Sequence, residues 1–106
     1  MTLANPFGPP VRGWEAVSAR LDLAASNYRD GQDYEFENIS TVITRELAYT
    51  VELERIRTRV DGADELTPIA IRATTVFRLE DGTWKVTHRH GDPITSMRPA
   101  DSALPS

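Results

Sequence analysis

The sequence predicts an α+β domain, one helix followed by a curved antiparallel sheet of four to five strands. Three features carry that prediction. Apolar residues recur at spacings of three and four after a turn-rich start, a long stretch free of Pro and Gly is filled with Ile, Val, Thr and Tyr, and an Asp-Gly pair separates two alternating runs. At 106 residues the chain fits one domain with a modest core; residues 1–93 read as that domain and 94–106 as a flexible tail.

Asn5 to Gly13, NPFGPPVRG, is rich in residues that fix dihedrals or withhold amide donors, so it reads as a connector, with only Thr2 to Ala4 able to form strand before it. Trp14, Val17, Leu21, Ala24 and Tyr28 then line one face of a helix that Gly13 can cap and Arg29-Asp30-Gly31 ends. Tyr34 to Val60 reads as strand throughout; extended, it would reach about 90 Å, so it must reverse, at Thr44-Arg45-Glu46. Apolar parity slips within each half, which predicts bulges. After a turn at Asp61-Gly62, a strand from Ile69 to Leu79 meets a last strand, Thr83 to His90, through a hairpin at Asp81-Gly82.

Net charge is −4 with no strong basic patch, which argues against a nucleic-acid partner. No apolar run could span a bilayer and Met1 to Pro10 lacks the character of a signal peptide; the absence of cysteine fits a cytoplasmic location. No cofactor is expected.

All imidazole chemistry lies in WKVTHRHGDP, Trp84 to Pro93, which holds both histidines of the chain. A two-residue hairpin loop pairs Leu79 with Trp84, Phe77 with Val86, Thr75 with His88 and Ala73 with His90. On that register His88, His90 and Asp92 share the apolar face with Ile69, Ile71 and Trp84, while Arg72, Arg78, Lys85 and Arg89 point the other way. A His-x-His pair on one face could share a metal ion, yet Asp92 is the sole nearby further ligand, so no metal is expected. The imidazoles can instead be hydrogen-bonded to Thr75 or backbone, or serve as acid-base or ligand-orienting groups.

The runs NPFGPPVRGWEAV, ELAYTVELER and RATTVFRLEDGTWKVTHRHGDP resemble the SnoaL-like proteins of the nuclear-transport-factor-2-like superfamily, which includes ketosteroid isomerases, polyketide cyclases and a kinase association domain. The resemblance covers Asn5 to Pro93. It implies a cone-like (cystatin-like) arrangement, a curved sheet around helices with an internal pocket, dimeric through the outer sheet face. Relatives carry one or two helices ahead of the segment similar to Asn5-Pro6; here that lid is missing, supplied by a partner, or absent. Arg45 departs from the Gly-Asp turn common in relatives.

The isomerase's general base falls at Asn5, an amide that cannot take the proton, and its oxyanion-donating acid falls near Thr75. A cyclase acid-base aspartate corresponds to His90, which can do that task. The resemblance thus implies a pocket for a small hydrophobic molecule, with His90 as the catalytic candidate and His88, Thr75, Tyr49, Trp84, Asn5 and Asp92 as ligand-binding candidates. Taken by themselves, Trp84 reads first as core, Tyr34 and Tyr49 as half-buried strand residues, and Asp30, Asp33, Glu35 and Glu37 as a solvated face without calcium spacing. Two other readings stand beside this one: a non-catalytic dimerisation or interaction domain, and an acid-base isomerase or cyclase using His90.

Overall fold

The computed structural model describes residues 1–105. Among these residues six strands form one open sheet in the order β2-β1-β6-β5-β4-β3, with one α-helix laid against it. The α+β expectation holds, with one strand more than foreseen. That strand comes from the supposed connector: β1 (Thr2–Asn5) turns at Pro6-Phe7 into β2 (Gly8–Arg12). Pro9 and Pro10 are tolerated because β2 is an edge, where a missing amide disrupts no second ladder. β1 also runs parallel to the last strand, Thr2 opposite His88 and Ala4 opposite His90, so the sheet is mixed rather than purely antiparallel.

The helix, α1 (Trp14–Ser26), follows Gly13, whose φ of 85° few other residues would adopt. It ends at Asn27 rather than at Arg29-Asp30-Gly31, and Tyr28 already opens β3 (Tyr28–Ile43). Helix α1 therefore joins one edge of the sheet, β2, to the other, β3, and must cross the sheet's concave face. Val17 is fully buried by that crossing, whereas Trp14 at the helix start remains 66% exposed. Arg20 ties the helix back to the edge by donating from Nη1 to the Pro9 carbonyl at 2.7 Å. Its guanidinium would meet a Cβ on residue 8 at 3.0 Å, so a larger residue there would require the flexible Arg20 side chain to shift.

Strand β4 (Leu47–Val60) begins after the predicted reversal. The Thr44 hydroxyl closes that turn, accepting from the Leu47 amide at 3.2 Å and donating to the Leu47 carbonyl at 2.6 Å. Register slips in β3 fall between Arg29 and Gln32, Gln32 and Glu35, and Asn38 and Ser40; the last is the one the parity shift between Phe36 and Ile39 foretold, and the first two were not foreseen. In β4 the same shift has another cause. Its pairing with β5 (Thr67–Glu80) runs unbroken from Leu47 opposite Arg78 to Thr58 opposite Thr67. Apolar Tyr49, Val51 and Leu53 therefore face outward, while Ile56 and Thr58 face the helix.

Between the helix and the sheet, Val17 of α1 and Leu3, Thr58 and Ala73 of the strands are buried. Thr58, fully buried, is satisfied by donating its hydroxyl to the Arg29 carbonyl at 2.9 Å. The chain after β6 (Thr83–Asp92) forms one 3-10 turn at Ala100–Ala103.

Candidate functional site

The site's geometry is decided in β6. The Asp81-Gly82 loop has φ of 50° and 77°, as a type I′ hairpin requires, and the expected pairs Leu79 with Trp84 and Phe77 with Val86 form. Beyond them the register slips by one: Val76 lies opposite His88, Thr75 opposite Arg89 and Thr74 opposite His90. Thr87 is the extra residue of a bulge, and every side chain beyond it changes face. The expectation that His88 and His90 share a face with Thr75 and Ala73 is thereby corrected. Both lie on the outer face with Thr74 and Val76, and Arg89, expected outside, points inward beside Thr75. Arg72 and Arg78 point outward as foreseen.

Inside, between α1 and the sheet, lies a cavity of about 270 Å³ lined by Leu3, Phe7, Leu21, Tyr28, Ile69 and Ile71, together with Asn5, Arg89 and Gly91. Among the described residues, Arg89 is the one charged member of its lining. The guanidinium is held by Glu54 of β4: Nη1 donates to Oε2 at 3.0 Å and Nη2 to Oε1 at 2.7 Å, while Thr75 Oγ1 lies 3.5 Å from Nη1. Gly91 keeps the neighbouring wall open, since a Cβ there would stand 3.3 Å from Ile71 Cγ2 and 3.9 Å from Arg89 Nη2. Tyr28 packs against Phe7 with ring centroids 6.3 Å apart. Burial, reinforced by the nearby Asp61 charge, raises its phenol above the ordinary value and keeps it protonated at neutral pH.

The outer face carries a second cluster. Asp92 accepts from Arg72 Nε at 2.6 Å and from the Ile94 amide at 3.0 Å through Oδ1, and its Oδ2 lies 3.0 Å from His90 Nε2. Burial pushes the Asp92 carboxyl upward, but the Arg72 and Ile94 hydrogen bonds, the Arg72 charge and the His90 contact outweigh it and set the net shift downward. With Asp92 on Nε2, the His90 ring is oriented and Nδ1 is left for another partner. Val51, Thr74, His90 and Asp92 border a recess of about 260 Å³.

The other expected residues are dispersed. His88 pairs through Nδ1 with the Thr2 hydroxyl. Tyr49 lines an outer apolar recess with Val42, Leu47 and Val76, and Trp84 lies opposite Leu79 but 41% exposed, at the sheet end away from the cavity. Asn5 does border the cavity, where its Oδ1 accepts from the Phe7 amide at 3.2 Å and shapes the turn. Among the described residues no three metal-ligating side chains converge. Sequence reasoning missed Arg89, Glu54, Tyr28 and Gly91. Glu54 was the available signal, because a carboxylate with the parity of Ile56 and Thr58 faces the helix-covered side and calls for an inward base.

Among solved structures, the fold matches a nuclear-transport-factor-2-like family protein from Streptomyces avermitilis (TM-score 0.73, 23% identity, 90% of this chain and 66% of that one). It also matches a ketosteroid isomerase-like protein from Erwinia carotovora atroseptica (TM-score 0.72, 17% identity, 90% and 73%). A conserved protein from Planctomyces limnophilus is similar too (TM-score 0.67, 18% identity, 86% and 70%). The chain thus spans about two-thirds to three-quarters of the length of these structures. Among curated proteins none matches. The SnoaL-like domain profile matches residues 4–95, nearly all of the cavity's walls and both histidines, and the chain belongs to the SnoaL-like domain family.

Proposed function

We propose that this SnoaL-like domain binds a small, mostly apolar molecule in the cavity between α1 and the sheet. The observation that carries the reading is a half-open, mostly apolar cavity of about 270 Å³ with one charged side chain in its lining among the described residues. Binding sites are typically built this way, apolar walls for affinity and a few polar groups for orientation, and the volume suits a ligand smaller than a drug-sized one. Titration of the 15N-labelled protein with a neutral apolar probe, cyclohexanol, tests it. Shifts confined to Leu3, Leu21, Ile69 and Ile71 support the reading; shifts spread over the exposed sheet, or none at millimolar probe, reject it.

A second reading is supported by the His90–Asp92 contact of 3.0 Å. A carboxylate-oriented imidazole can pass a proton to or from a carbonyl compound in the outer recess, which keeps His90 as an acid-base candidate with Asp92 as its positioning residue. Asp92→Asn would then depress any turnover and alter its pH profile while His90→Gln abolishes it. For self-association, the apolar outer recess of Val42, Leu47, Tyr49 and Val76 supports a homodimer through that face. Sedimentation of Tyr49→Glu beside the unaltered protein distinguishes a dimer from a monomer.

A further inference from the structure

We infer that the cavity ligand is a monocarboxylate with a small hydrocarbon body, bound side-on by the Nε and Nη2 edge of Arg89. The inference rests on the reading of the cavity as a ligand site and adds the chemical class that site selects. A guanidinium offers five N–H donors in a rigid plane. Glu54 occupies the end-on fork between Nη1 and Nη2, and Thr75 lies on the outer side of Nη1. What remains is the Nε–H together with the second Nη2–H, two parallel donors on one edge, without a protein acceptor among the described residues. A planar carboxylate matches that edge with two parallel hydrogen bonds, whereas a lone hydroxyl can use only one donor at a time.

Three further features agree. Arg89 lines the cavity and Glu54 does not, so the carboxylate of the protein stands away from the ligand and its role is to fix the guanidinium plane. Gly91 leaves open space near Nη2, where any side chain would also press on Ile71. Glu54 already balances the Arg89 charge, so its repulsion weighs about twice as heavily on a dianion such as phosphate as on a monocarboxylate. Leu3, Phe7, Leu21, Ile69 and Ile71 offer hydrocarbon contact, and the other polar side chains of the lining, Asn5 and Tyr28, are uncharged.

Hexanoate, hexanamide and 1-hexanol share a body and differ in the head group, so titrating each into the 15N-labelled wild-type protein tests the inference without depending on a variant. Hexanoate is expected to bind at least about tenfold more tightly than either neutral analogue, with shifts at Arg89 Nε–H and the cavity residues. In Arg89→Lys, which keeps the charge but loses the planar edge, the gap between hexanoate and 1-hexanol is expected to shrink. Equal affinities for the three compounds, or a preference for 1-hexanol, would overturn the carboxylate inference and leave the apolar cavity reading standing. No shift at any cavity residue with any of them would overturn both.

Discussion

Arg89 and Glu54 meet across the intervening strand β5, joined by two hydrogen bonds of 2.7 and 3.0 Å, with their side chains 31% and 25% exposed. Such a pair is dry enough for its geometry to matter and wet enough that its net contribution is modest. Removing one partner leaves a half-buried charge without a counterion. Arg89→Met is expected to cost about 1–2 kcal/mol, and the Arg89→Met/Glu54→Gln double variant less than the sum of the singles, with a coupling near 1 kcal/mol. Urea denaturation of the four proteins measures this; strict additivity would show the pair to be solvated and energetically idle.

Thr87 is the extra residue of the bulge, so it is expected to be dispensable for the faces beyond it. Deleting Thr87 leaves one unbroken ladder in which Val86 still lies opposite Phe77, His88 opposite Val76, Arg89 opposite Thr75 and His90 opposite Thr74. Both histidines then stay outward and Arg89 stays beside Glu54. The deletion is expected to lower stability by only about 1 kcal/mol, read as a small shift of the urea midpoint. A loss of roughly 3 kcal/mol or more, the outcome where deletion turned Arg89 outward and left Glu54 unpaired, would contradict the bulged register.

That single residue also marks where the sequence stops being legible. The hairpin, the reversal at Thr44-Arg45-Glu46 and the mixed helix-and-sheet class follow from local chemistry: Asp-Gly accepts positive φ, and a run of β-branched residues cannot be one strand. The Thr87 bulge has no such signature, since threonine suits regular strand equally well and the slip is selected by pairing with β5 and by the Arg89–Glu54 contact. The strand nature of Gly8–Arg12 was hidden for a related reason: prolines forbid an interior strand but not an edge, and only the tertiary arrangement makes β2 an edge. The outward histidines follow from a contact 35 residues distant in sequence rather than from their own neighbourhood.

Thr58 illustrates a polar core position whose role is to close the backbone. It is fully buried, and its hydroxyl satisfies the Arg29 carbonyl at 2.9 Å where the β3 ladder slips. Thr58→Val keeps the volume and removes the donor, leaving that carbonyl unpaired, and is expected to cost about 1–3 kcal/mol. Thr58→Ser, which retains the hydroxyl and loses one methyl, should cost less than Thr58→Val if the hydrogen bond dominates. The reverse order in chemical denaturation would assign the residue's value to packing instead.

Asp92 predicts an acid limit to stability. Its carboxyl is held below the ordinary value of 3.8 by Arg72, the Ile94 amide and His90 against the opposing effect of burial. A group whose folded-state value is depressed stabilises the native state above its unfolded value, and that contribution is lost as pH falls through the folded value. Stability from Asp92 should therefore be complete at neutral pH and decline from about pH 4 downward. Asp92→Asn keeps the shape but weakens the bonds from Arg72 and His90, and is expected to lower stability at pH 7 by about 1–3 kcal/mol. The difference between the two proteins should shrink as pH drops below the ordinary carboxylate range, because wild-type Asp92 then becomes neutral as well. Denaturation midpoints from pH 7 to pH 3 measure it; a difference that stays constant across that range would show that Asp92 does not carry the acid sensitivity.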